Sequence, residues 1–200
     1  MRIVGNSVVD VVREAITRTL VNGKDVENFR ELLGIVLEIR NCRFGQDLIR
    51  AFREFPQTTT AKRFMGTMLF FDELPQSSRV REQLHLIVRK LEEKEETKKA
   101  CISVIVPEDL EKGGYMPSLA FIQFMVREKK VKVFATFRSL DLLNGGIWNL
   151  LGLERIAEYV STYINSHLLP DISVFVTSAH VYHKDFTVAD KIVRMCRGDI

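Results

Sequence analysis

A chain of 200 residues with 46% hydrophobic and 28% charged side chains has the make-up of one globular domain able to bury a core. Its 29 basic and 26 acidic groups leave a net charge of +3, without the concentrated basic face that nucleic acid demands. No apolar run approaches the ~20 residues of a membrane span, so neither nucleic acid nor a membrane is an expected partner.

Three cysteines, Cys42, Cys101 and Cys196, include no CxxC pair, which reads as a reducing, cytoplasmic protein without a disulfide framework. The segment Met1 to Ser7 lacks the apolar core of a signal peptide. Ser7 is an expected helix N-cap with Asp10 completing an imperfect capping box. Val8, Val12, Ala15, Ile16 and Leu20 then keep helical spacing, and Gly23 stops the helix. Residues 35–39 read as a strand. Residues 43–76 carry no clear period, and residues 57–60 read as an exposed loop. After Pro75 to Ser78, the positions Leu84, Ile87, Val88 and Leu91 predict an amphipathic helix running into the charged stretch 92–99.

Residues 101–106 form the next expected strand, with Cys101 buried in it. Residues 121–126 and 131–137 form an expected hairpin turning at 127–130, and Val131, Val133, Ala135 and Phe137 alternate as a half-buried strand requires. A long helix over 147–169 closes at Pro170; a strand over 172–176 and a last helix over 187–196 follow. Strands and helices mix without strict alternation, which predicts an α+β fold with a mixed, largely antiparallel sheet, as one domain over 1–200.

Four segments carry a resemblance. Arg138-Ser139-Leu140-Asp141 is followed by Gly145 and Asn149; Ser178-Ala179-His180-Val181-Tyr182 lies beyond a helix and a strand; Met116-Pro117-Ser118-Leu119-Ala120 leads to Gln123-Phe124; and Thr97-Lys98-Lys99 precedes a strand. In this order and spacing they resemble the thymidylate synthase family, from Arg79 to Tyr182. The resemblance implies that family's fold, a sheet flanked by helices, and its two-fold homodimer with sheets back to back.

The resemblance also implies roles. Arg138 and Ser139 would hold a nucleotide phosphate, a task suited to a guanidinium fork and a hydroxyl. Lys98 and Lys99 stand where the family gives a pair of arginines across the dimer to the partner's phosphate; the bland alternative is a solvated run at a helix C-terminus. Asn149 would read the donor–acceptor edge of uracil, Asp141 would orient the base, and His180 with Tyr182 would bond the sugar hydroxyl. Their i, i+2 spacing puts His180 and Tyr182 on one strand face. Glu31, in an expected helical segment, reads as an exposed glutamate rather than as the family's general acid/base.

Ser118 decides the chemistry. The family begins by thiolate attack on the pyrimidine, and a serine hydroxyl needs an adjacent base, which Leu119 cannot be. The eighteen residues after Tyr182 are also fewer than the family's C-terminal segment. Three readings stay open. The first is a protein that binds a pyrimidine nucleoside monophosphate such as dUMP without efficient methyl transfer. The second is an active C5 methyl or hydroxymethyl transferase using a reduced folate or tetrahydromethanopterin, with another nucleophile or with Ser118 introduced by engineering. The third is a non-enzymatic dimeric scaffold. No metal site is expected.

Overall fold

The computed structural model describes residues 1–58, 61–62, 75–111, 113 and 116–194. In chain order they form β1 (Arg2–Gly5), α1 (Val8–Asn22), β2 (Lys24–Val26), β3 (Phe29–Ile39), α2 (Phe44–Glu54), α3 (Pro75–Glu93), β4 (Cys101–Ser103), α4 (Glu108–Glu111), β5 (Leu119–Arg127) and β6 (Lys130–Asp141). A π-helical turn (Leu142–Gly146) leads into α5 (Ile147–Tyr163), followed by β7 (Asp171–Tyr182), a 3-10 turn (His183–Asp185) and α6 (Phe186–Arg194).

The seven strands make one mixed sheet, ordered β1-β3-β7-β6-β5-β4, with β2 folded back on β3. β3 with β7, β5 with β6, and β4 with β5 are antiparallel; β1 with β3 and β6 with β7 are parallel. The parallel β6–β7 pair needs a crossover, and α5 supplies it. The α+β expectation is met.

One row of the sheet shows how alternation sets the core. Ile3, Leu37, Val174, Ala135, Ile122 and Ile102 are successive cross-strand partners over six strands, and all are buried. Helices α1, α5 and α6 lie against the strands. The adjacent row, Val36, Phe175, Thr136 and Phe121, points the other way, and Phe121, Phe134 and Phe175 are exposed there. An antiparallel-rich sheet with one face on the core normally turns a polar face to water. Here three exposed phenylalanines stand among the polar residues of that face.

Several local expectations change on folding. Ser7 does precede α1, but its hydroxyl makes no capping bond. It donates instead to Asp47 Oδ1 at 2.6 Å, and the other Asp47 oxygen accepts from Val8 N at 2.6 Å, so a residue of α2 caps α1 in place of the box with Asp10. Gly23 follows the helix in extended backbone with its N–H on Thr19 O, and only glycine fits there, since an added Cβ would lie 2.4 Å from that oxygen.

The strand expected at residues 35–39 begins at Phe29, so Glu31 is a strand residue rather than a helical one. The unassigned stretch contains α2, and the loop expected at 57–60 lies partly outside the described residues. Helix α3 stops at Glu93, leaving Lys94 to Lys99 in a turn. Strand β4 ends at Ser103, and Cys101 in it is exposed rather than buried. The hairpin is longer than expected, joined by Glu128 and Lys129 with φ of 55° and 60°, the left-handed pair of a two-residue turn. Helix α5 ends at Tyr163 rather than 169, and β7 runs on to Tyr182. The last helix is described to Arg194; Cys196 lies outside the described residues.

Candidate functional site

The ends of β6 and β7 and the start of β5 converge on a cavity of about 720 Å³. Asp141 is the cross-strand partner of His180, and Ser139 of Ser178, so the two quoted motifs become neighbours through parallel pairing. Ser118 is tied in beside them, its carbonyl accepting from Arg138 N at 2.9 Å. Register slips between Leu119 and Phe121, an irregularity of the kind that re-aims side chains beside functional sites.

Of the residues singled out from sequence, Ser118, Arg138, Ser139, Asp141, Asn149, His180 and Tyr182 line this cavity. Lys98 and Lys99 do not. They border a separate hollow of about 420 Å³ with Lys90, Lys94 and Thr97, and Lys98 O accepts from Gln123 Nε2 at 2.9 Å. Glu31 lies across from His180 in the ladder and takes a short hydrogen bond from the Ser178 hydroxyl. Thr58, Met116, Asn144, Lys184 and Asp185 complete the lining and were not singled out. Met116 and Asn144 lie within or between quoted motif residues with no role assigned to them, and the other three stand outside any motif.

The Arg138 guanidinium is anchored by main-chain carbonyls, with Nε to Pro117 O at 2.9 Å and NH2 to Met116 O at 2.8 Å, and Ser139 Oγ lies 3.4 Å from NH1. No carboxylate among the described residues pairs with it, so its full charge faces the cavity. Asn149 is buried with its Oδ1 unpartnered, and His180 likewise keeps an unpartnered Nδ1. Both residues line the cavity, where their amide and imidazole supply donor and acceptor groups. Rings of Phe29, His180 and Tyr182 pack together, with His180 and Tyr182 edge-to-face at 5.2 Å. Burial holds the His180 imidazole below its ordinary value while Asp141 pulls the other way, and burial raises the Tyr182 phenol. In its neutral form the ring offers one donor and one acceptor.

Asp141 caps the turn that follows β6: its Oδ1 accepts from Leu143 N at 3.2 Å and Asn144 N at 3.1 Å. Burial pushes this carboxyl up; bonds from Asn144 and the charge of His180 bring it back, and Asp185 raises it again. Among the described residues no cluster of His, Cys, Asp and Glu is arranged to hold a metal ion, and no helix is long and apolar enough to cross a membrane.

A cavity lined by a guanidinium without a carboxylate partner and by amide, imidazole and phenol groups has the donors and acceptors that a small polar anion requires. The family model for thymidylate synthase matches residues 26–197, and the chain belongs to that family. It is 30% identical over 116 residues to a protein of Methanosarcina mazei named "Putative thymidylate synthase", covering 56% of this chain and 52% of the relative. A protein of the same name from Methanococcoides burtonii is 29% identical over 114 residues, with 56% and 52% covered. One from Methanothermobacter thermautotrophicus is 23% identical over 113 residues, with 56% and 50% covered. The chain thus spans about half the length of the curated relatives it matches.

Proposed function

We propose that the cavity binds a pyrimidine nucleoside monophosphate of the dUMP type, in a cytoplasmic protein whose residues 1–200 act as one domain, and that methyl transfer to it is inefficient. The observation that carries this reading is the Arg138 guanidinium, oriented by two carbonyls and paired with no carboxylate among the described residues, on a cavity that Asn149 and His180 also line. Arg138 and Ser139 take the phosphate, Asn149 the base edge, Asp141 the base orientation, and His180 with Tyr182 the sugar. No cysteine lines the cavity among the described residues. Cys42 is buried with its thiol pushed well up, chiefly by burial, and Cys101 lies on edge strand β4 opposite Gln123. Neither can replace the missing thiol at Ser118, which weighs against the reading as an active C5 transferase using a reduced folate or tetrahydromethanopterin.

Saturating dUMP is expected to raise the melting temperature. At a hundred times Kd, mass action contributes about 2.7 kcal/mol, which in a chain of this size corresponds to roughly 5–10 °C. Arg138→Ala should abolish the shift, and uridine, which has no phosphate, should give little. A shift with uridine equal to that with dUMP overturns the assignment of Arg138.

The partner we assign is a second copy of the chain, covering the sheet face of the three exposed phenylalanines. Phe121, Phe134 and Phe175 offer the apolar, self-complementary patch that an isologous two-fold interface uses. In such a dimer Lys98 and Lys99 serve the partner's phosphate, in keeping with their distance from this subunit's own cavity. Sedimentation is expected to give a dimer at micromolar concentration and a monomer for Phe175→Glu. A monomeric wild type removes both the dimer and the lysines' cross-subunit role.

A further inference from the structure

Of the five cavity residues left without a role by the motifs, Asn144 joins two others. Asn144, only 6% exposed, sits in the π-helical turn after β6. Its Nδ2 lies 3.1 Å from Asp141 Oδ2 and 3.0 Å from Asp185 Oδ2, and its Oδ1 accepts from Thr58 Oγ1 at 3.2 Å. Chemistry fixes the orientation of this amide. Only an NH2 group can sit between two carboxylates, and only the oxygen can accept from a hydroxyl. Both hydrogens of one nitrogen are therefore used, one on each acid.

The three partners come from three separate parts of the chain: Asp141 ends β6, Asp185 ends the 3-10 turn after β7, and Thr58 follows α2. Asn144 is the common point through which they meet at the cavity wall. Without it two carboxylates would converge with no donor between them, in a site where burial already disfavours charge on Asp141. His180 from β7 faces Asp141 as well; burial disfavours charge on its ring while Asp141 favours it, so it is a weaker partner for the carboxylate than the Asn144 amide that bonds it directly. Lys184 also lines the cavity, its Nζ 5.5 Å from the centre of the Tyr182 ring, and no ion pair joins it to either acid among the described residues.

We propose that Asn144 is a positioning residue of the nucleotide site, a neutral clamp that holds Asp141 and Asp185 convergent at the cavity wall. This rests on the nucleotide reading above for its ligand, but the clamp itself is defined by the three side chains. Asn144 does not contact the reacting atoms; it acts through Asp141, whose carboxylate it orients with both its main-chain and its side-chain N–H groups.

The test is a cycle of Asn144→Ala, Asp185→Asn and the double variant, read in two ways. By calorimetry, Asn144→Ala should bind dUMP about tenfold more weakly at pH 8, the scale of one net hydrogen bond with its partner left buried. The loss should shrink toward pH 5.5, because a proton taken up by Asp141 then bridges it to Asp185. Asp185→Asn in the same chain should restore affinity across the pH range, since one charge is gone and a new amide can donate to Asp141. Carboxyl carbon NMR supplies the second readout and needs no ligand: Asn144→Ala moves the Asp141 titration to higher pH, and adding Asp185→Asn moves it back. An Asn144→Ala defect that is equal at both pH values, unrescued and without movement of the Asp141 titration means a purely structural residue and overturns the proposal. An intact NMR coupling in a protein that binds no dUMP would instead sink the nucleotide reading and leave the clamp standing.

Discussion

Glu154→Gln is expected to stabilise the protein, and to do so more at pH 8 than at pH 5. Glu154 is 0% exposed in the middle of α5, and neither carboxyl oxygen has a partner at hydrogen-bond geometry. Its neighbours make matters worse for a charge. Asp47 beside it and Glu158 one turn further along the helix add like charges, against which only Cys42 favours the ionised form. Burial, helped by Asp47, pushes this carboxyl up to about 9. In the unfolded chain it titrates near the ordinary ~4.3. Below the unfolded value both states hold the proton, and the native state loses nothing. Above it the unfolded chain releases the proton while the native chain keeps it, so stability declines with rising pH until the folded value is passed. The slope from one such group is at most about 1.4 kcal/mol per pH unit. Glutamine carries no proton to lose, so its curve should be flatter by this term. Allowing for a buried amide that also lacks partners, the gain at pH 8 is expected to be about 1–3 kcal/mol, or several degrees in Tm. Thermal melts of both proteins at pH 5, 7 and 8.5 decide it. Parallel curves would mean that Glu154 meets a donor or water in solution.

How much of this could be read from the sequence follows from where each element finds its stability. Strand β6 was legible because Val131, Val133, Ala135 and Phe137 bury one face against a solvated one, and α1 because its apolar stripe is wide. Helix α2 was not. Only Asp47 and Ala51 in it are fully buried, and the element is held largely by polar ties: Asp47 to Ser7 and Val8, Arg50 to Asp10, and the Phe44 main-chain N–H to Glu158. Such ties leave no periodic trace. The first half of β3 escaped for a related reason, since Phe29 to Gly34 is at most half-buried and its pairing with β7 is what makes it a strand.

The site divides in the same way. Arg138, Ser139, Asp141, His180 and Tyr182 are close in sequence within two short motifs, and parallel pairing of β6 and β7 merges them. Thr58, Asn144 and Asp185 come from three separate places and meet only through tertiary structure. The environment of Ser118 is hidden from sequence for a similar reason. Its chain neighbour, Leu119, is apolar, but the group beside it in space is Arg138, whose guanidinium sits on the carbonyls of the two preceding residues.

That geometry sets the expected behaviour of Ser118→Cys. A thiol at this position would lie beside a guanidinium held in place by Met116 O and Pro117 O, with the Arg138 N–H bonded to the residue's own carbonyl. A fixed cation favours the thiolate, and lowering a thiol by about one unit multiplies its thiolate fraction roughly tenfold near pH 7. The variant is therefore expected to be alkylated by iodoacetamide at residue 118 several-fold faster than at Cys101. Cys101 is exposed and serves as the internal standard, whereas buried Cys42 should stay unmodified. Bound dUMP should protect residue 118 and leave Cys101 unaffected, because the nucleotide covers the cavity wall and not the edge strand. Adding Arg138→Ala should remove both the rate advantage and the protection. Peptide mapping by mass spectrometry reads all three positions in one experiment. Alkylation at position 118 no faster than at Cys101 would mean that Arg138 does not act on the nucleophile position. Fast alkylation there that dUMP fails to slow would keep that electrostatic pairing and remove the nucleotide from the cavity.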